Sequence, residues 1–136
     1  MFNIKKILYP IDLDSEDISP VVTALEIAKI FNCEIHILYV NDIEAGYRHP
    51  TDMENEVNLK VRDLAPNELL DHLKIIYSVS KGDLAKEIVK YCKDNNIDLL
   101  IVGHKHRNKL YSMLFDITDE NIIDAIKLPV LVIPKK

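Results

Sequence analysis

Short apolar runs alternate along this chain with stretches of helical spacing, and this alternation is its strongest pattern. Ile7-Leu8-Tyr9, closing at Pro10-Ile11-Asp12, predicts a first strand. Residues 35–40 (IHILYV) predict a second, 75–79 (IIYSV) a third, Leu99-Leu100-Ile101-Val102 a fourth and Val130-Leu131-Val132-Ile133 a fifth. The runs are mostly continuous rather than alternating, as a strand covered on both faces requires.

Helical signals fill the gaps. Ser19 is placed to N-cap a helix, Pro20 fits its first position, and Asn32 can end it in a left-handed conformation. Between them Val21, Ala24, Leu25, Ala28 and Phe31 form one apolar stripe. A helix from about Asp52 to Leu64 is interrupted by Pro66, with a short helical turn following through Leu70. Gly82 turns the chain after the third strand and Asp83 caps a helix carrying Leu84, Ile88 and Cys92, which Asn95-Asn96 ends. Thr118, Asp119 and Glu120 open a last helix, where their charge suits the positive end, and Ile122, Ile123 and Ile126 form its buried side. Strand–helix alternation with right-handed crossovers predicts an α/β fold: a three-layer, open, parallel five-stranded sheet with helices on both faces. At 136 residues, with no internal repeat or linker, residues 1–136 are expected to form a single domain. Ligands of such sheets bind beyond the carboxyl ends of the strands, where strand order reverses.

Composition narrows the function. Hydrophobic residues at 48% and charged residues at 29% are ordinary globular values. The net charge of −5 argues against general nucleic-acid binding. No apolar run approaches the ~20 residues of a membrane span, and MFNIKKILYP lacks the apolar core of a signal peptide, so a protein away from the membrane is expected. Cys33 and Cys92 stand far apart with no CxxC, which fits a reduced, cytoplasmic setting.

Over essentially its whole length the chain resembles the universal stress protein family. The resemblance rests on the opening IKKILYPIDLDSEDISPVVTALEIAKIFNCEIHILYV, the middle KGDLAKEIVKYCKDNNIDLLIVGHK and the closing ITDENIIDAIKLPVLVIPKK, in family order. It implies a Rossmann-like fold of the adenine nucleotide alpha hydrolase-like type. It further implies that, in the members that bind ATP, an Asp after the first strand meets the adenine, while a loop of the pattern Gly, two residues, Gly, nine residues, Gly, then Ser or Thr cradles ribose and phosphates. Glycines there admit backbone N–H groups to the phosphates.

This chain matches the first half of that pattern and departs from the second. Pro10 and Asp12 stand at the end of the first strand, Val40 ends the second where the adenine edge would lie, and Gly103 matches the first loop glycine. His106 replaces the second glycine, Asp116 the third, and Ile117 the hydroxyl residue, with Thr118 one position late. A carboxylate facing phosphate oxygens is unfavourable: two like charges ~4 Å apart in a partly screened site cost about 4 kcal/mol, about three decades of affinity. Against that, His104-Lys105-His106-Arg107-Asn108-Lys109 is a basic loop at the same place, with Lys105, His106 and Arg107 as candidate phosphate contacts. The expectation is a stress-response module without enzymatic turnover or efficient ATP binding, and the alternative is an ATP or adenine-nucleotide sensor using Asp12 and the 103–118 loop.

Other chemistry has thinner support. His104 and His106 form an H-x-H pair that one metal could bridge, with Asp116 as a third ligand, but two histidines in a polar loop are ordinarily solvated and no metal is expected. His36 is expected to pack or bond locally, and His49 and His72 to lie at the surface. Asp12, Asp14 and Asp17 suggest a receiver-type acidic cluster, yet Ser78, Val79, Ser80 and Lys81 occupy the place of the acceptor Asp such a domain needs. There is no G-x-S-x-G, no P-loop and no H-E-x-x-H. The last strand, Val130 to Ile133, is uncharged and, on the family's sheet order, an edge. The resemblance implies that it pairs with its twin in a homodimer, with an unidentified protein partner for the assembly and neither nucleic acid nor membrane.

Overall fold

The computed structural model describes residues 3–11, 19–41, 53–103 and 125–134, the side chains of 53–55 aside. Five strands form one sheet: β1 (Lys6–Pro10), β2 (Glu34–Asn41), β3 (Ile75–Lys81), β4 (Leu99–Gly103) and β5 (Val130–Ile133). Their order is β3-β2-β1-β4-β5 and every pairing is parallel. The helices are α1 (Pro20–Phe31), α2 (Met53–Leu64), α3 (Asn67–Asp71) and α4 (Leu84–Asp94). This is the expected Rossmann-like α/β architecture.

The strands are apolar on both sides because both sides are covered. On one face Ile7, Tyr9, Ile35, Ile37 and Ile101 pack against Val21, Ala24 and Leu25 of α1, Val57 and Val61 of α2, and Leu69 of α3. On the other, Leu8, Leu38, Val40, Leu100 and Val102 pack against Leu84, Ile88 and Cys92 of α4, with Ile126. Each such fully buried aliphatic side chain contributes about 1.5–3 kcal/mol.

Local chemistry sets most of the helix ends. Asn32 adopts φ 54°, ψ 50°, and its N–H closes α1 onto Ala28 and Lys29 carbonyls. Asp83 caps α4, its carboxylate accepting from the Lys86 N–H at 3.0 Å. At the far end the Asn95 N–H and Nδ2 both donate to the Tyr91 carbonyl at 3.0 Å. Pro66 stops the α2 pattern and becomes the N-cap of α3. Ser19 departs from expectation: it sits at φ −56°, ψ −26°, and its side chain makes no capping bond. In that helical conformation the hydroxyl no longer faces the first-turn amides, and the Ser19 carbonyl accepts from Val22 N–H instead. The helix expected from Thr118 lies outside the described residues until residues 125–126, which are helical.

At the amino edge one carboxylate ties β1 to β4. Asp98 Oδ2 accepts from the Lys5 and Lys6 N–H groups at 2.9 and 3.0 Å, and the Asp98 N–H returns a bond to the Lys6 carbonyl at 2.9 Å. No described helix is long and apolar enough to cross a membrane.

Candidate functional site

Strand order reverses between β1 and β4, because β1 continues to β2 on one side while β4 lies on the other. The crevice at their carboxyl ends is the position where open α/β sheets take ligands. Pro10, Val40 and Gly103, picked out from sequence, all stand at that edge, at the ends of β1, β2 and β4. Asp12, Lys105, His106, Arg107, Asp116 and Thr118 lie outside the described residues, as do His104 and His49.

Pro10 is buried and the chain beyond it stays bound to β2, the Ile11 N–H donating to the Leu38 carbonyl at 2.8 Å. β2 therefore holds the chain in place as far as Ile11. Val40 is 3% exposed and its side chain belongs to the α4-side core. What it offers the edge is backbone. β2 runs one residue further, to Asn41, whose carbonyl accepts from the Gly82 N–H at 3.1 Å. Gly82 has φ 144°, a conformation side chains rarely adopt, and makes the turn into α4.

Gly103 has a packing reason of its own. A Cβ there would stand 3.2 and 3.3 Å from the Pro20 ring and 3.5 Å from the Tyr9 hydroxyl. The first turn of α1 thus sits close over the end of β4, and only a glycine lets it do so without displacement.

Two buried polar atoms at this edge have no hydrogen-bond partner, Asn41 Oδ1 and Ser80 Oγ. Val40 pairs with Ser80 and Asn41 with Lys81, so the two side chains point to opposite faces. Both lie in stretches that the sequence marks as the carboxyl ends of strands, 40–48 and 80–83, but neither was picked out as a ligand contact.

Neither thiol is set up as a nucleophile. Burial pushes Cys92 up to about 12. Cys33 is also raised, by burial and then by the Asp98 charge, and its Sγ donates to the Ile4 carbonyl at 3.1 Å. Both are protonated at neutral pH, and the thiolate is the reactive form. His72 is exposed, as expected. Among the described residues no three His, Cys, Asp or Glu side chains gather as a metal would require.

Comparison with known proteins places this geometry among relatives. The family model described as the universal stress protein family matches residues 3–134. A universal stress protein of Methanocaldococcus jannaschii is 27% identical over 156 residues, covering 97% of this chain and 96% of that protein. Among solved structures, a universal stress protein in complex with cAMP superposes with a TM-score of 0.67 at 15% identity, covering 98% of this chain and 99% of the other. One from Archaeoglobus fulgidus in complex with dAMP gives 0.59 at 12% identity, with the same coverage of 98% and 99%.

Proposed function

This chain belongs to the universal stress protein family, and on that premise we propose that it is a cytoplasmic, homodimeric stress-response module with no enzymatic turnover, acting through a protein partner and binding ATP poorly. The observation that carries this reading is β5. It is last in the sheet order, its four residues carry no charge, and Leu131 is 40% exposed on it. Strand edges of this kind are covered or paired in stable proteins, and a second copy supplies a matching strand at no cost in specificity. Pro129 and Pro134 bound the strand's length without covering its side chains.

The poor fit to ATP follows from His106, Asp116 and Ile117 in the 103–118 loop. Bulky side chains keep backbone amides from phosphate oxygens, and the Asp116 carboxylate repels them. Native mass spectrometry of the purified protein reads subunit number and any retained nucleotide together. A dimer without nucleotide is the expected result; a monomer, or tight stoichiometric ATP in equilibrium dialysis with Mg²⁺, overturns the reading.

A second reading has its own support. The complexes with cAMP and dAMP described above each hold an adenine nucleotide with a single phosphate. In that reading Asp12 meets the base, and Lys105, His106 or Arg107 holds the phosphate, so the protein is an adenine-nucleotide sensor. A rise in melting temperature with millimolar nucleotide, lost in Asp12→Ala, is its signature. No shift in the unsubstituted protein removes it.

A further inference from the structure

His36 is 3% exposed and is the one buried polar or charged residue among those described. It sits in β2 on the face covered by α4. Its Nδ1 is hydrogen-bonded to the Tyr91 hydroxyl of α4, and that hydroxyl is bonded in turn to Ser78 Oγ of β3 at 3.0 Å. The two rings meet edge to face, with centroids 5.5 Å apart. On the other side Nε2 lies 3.2 Å from Glu34 Oε1, close but off the line of an N–H bond. Glu34 Oε1 is also 3.8 Å from Lys74 Nζ.

The charges fix the tautomer. A bare Nε2 lone pair beside the Glu34 carboxylate would be repelled, so Nε2 carries the hydrogen and Nδ1 accepts from Tyr91. The chain then runs one way: Ser78 donates to Tyr91, and Tyr91 donates to His36. Adding a proton at Nδ1 turns that acceptor into a donor. The Tyr91 hydrogen must then turn away from the ring, and one of the two hydroxyls, Tyr91 or Ser78, is left needing another acceptor. The same proton places a cation in the core. Every strut of this chain crosses between α4 and the β2–β3 pair.

We propose that His36 is a proton-operated latch on α4, holding the helix to β2 and β3 while neutral and loosening it when charged. The groups facing the ring are Glu34 on its own strand, Lys6 of β1, Lys74 just before β3, and Tyr91 of α4, beside which Cys92 stands. Burial is the largest influence and lowers the ring's pKa. Glu34 opposes it, and Lys6 and Lys74 add to it. The unfolded chain therefore takes up the proton first. The stabilising effect of the latch is complete above the ordinary imidazole value of about 6.5 and is lost as pH falls from there through the lower midpoint of the folded state. The inference is independent of what the cleft binds.

The test follows the His36 ring protons by NMR from pH 8 to pH 4.5, with amide exchange of α4 measured on the same samples and corrected for intrinsic exchange. The ring should titrate below 6.5. Over that interval the opening constant of α4 should rise, by about tenfold for each pH step separating the midpoint from 6.5, while α1 amides stay protected. Glu34→Gln keeps the shape and removes the carboxylate that favours the charged ring. It should lower the ring midpoint and, with the onset still near the ordinary imidazole value, extend the α4 response to lower pH and enlarge it. The latch is refuted if α4 protection is unchanged between about pH 6.5 and the ring midpoint, or if Glu34→Gln lowers the ring midpoint without enlarging the α4 response.

Discussion

The two faces of the sheet are held by different physics. Under α1, α2 and α3 the core is hydrocarbon with a buried Tyr39 and Cys33, and contains no buried histidine or carboxylate among the described residues. Under α4 the same strands present Leu8, Leu38 and Val40, but also His36, tied through Tyr91 to Ser78. An apolar face is non-directional and tolerates neighbouring hydrophobic choices. A face with a buried polar chain demands one arrangement, because each unmet group costs about 1–3 kcal/mol. On the acid side of neutrality the first face supplies stability independent of pH, whereas the second makes stability depend on proton concentration.

Substitutions can break or sharpen this contrast. The largest effect is expected from Ile37→Ala, fully buried on the hydrocarbon face, which should cost about 2–5 kcal/mol in denaturant unfolding. Its cost should be the same at pH 5.5 and pH 7.5. Tyr91→Phe strands His36 Nδ1 and Ser78 and should cost about 1–3 kcal/mol at pH 7.5. Because a charged ring needs an acceptor more than a neutral ring needs a donor, the variant should also lower the His36 midpoint. Equal costs for Tyr91→Phe and Ile37→Ala at every pH would erase the distinction between faces. Asp83→Ala removes the α4 cap and should cost about 1 kcal/mol, read most cleanly as faster amide exchange in the first turn of α4.

A separate contrast lies at alkaline pH. Burial raises both thiols, so the folded state holds those protons more tightly than the unfolded chain does. Their contribution is complete below the ordinary thiol value of 9.0 and declines as pH rises toward about 12, the raised value of Cys92. A melting-temperature series from pH 8 to pH 11 should fall less steeply in Cys92→Ala than in the unsubstituted protein.

All five strands were legible as short apolar runs, and the central β1, β2 and β4 most plainly, because both of their faces are buried. Asn32 and Asp83 were legible because end chemistry is local. Ser19 misled for a different reason: a hydroxyl before a proline looks like a cap, but Ser19 already has helical dihedrals, which turn its side chain away from the first-turn amides. β3 ran on through Ser80 and Lys81, because pairing with Val40 and Asn41 outweighs the low strand preference of polar residues. The Tyr91 partner of His36 was out of reach, since 55 residues separate them and nothing in a helical tyrosine announces a histidine four elements back along the chain. At the cleft the acidic and basic loop residues were readable as types, whereas the packing need for Gly103 arises only where α1 crosses the end of β4.

The chain enters β1 at the amino end of the strands and leaves β5 at their carboxyl end, with β4 between the two and all three strands running the same way. Tension applied through residues 6 and 133 would therefore load these ladders lengthwise, so that their hydrogen bonds resist together instead of opening one by one as in an unzipping hairpin. Pulled from its ends, the molecule should behave as a stiff mechanical fuse with a single high-force rupture.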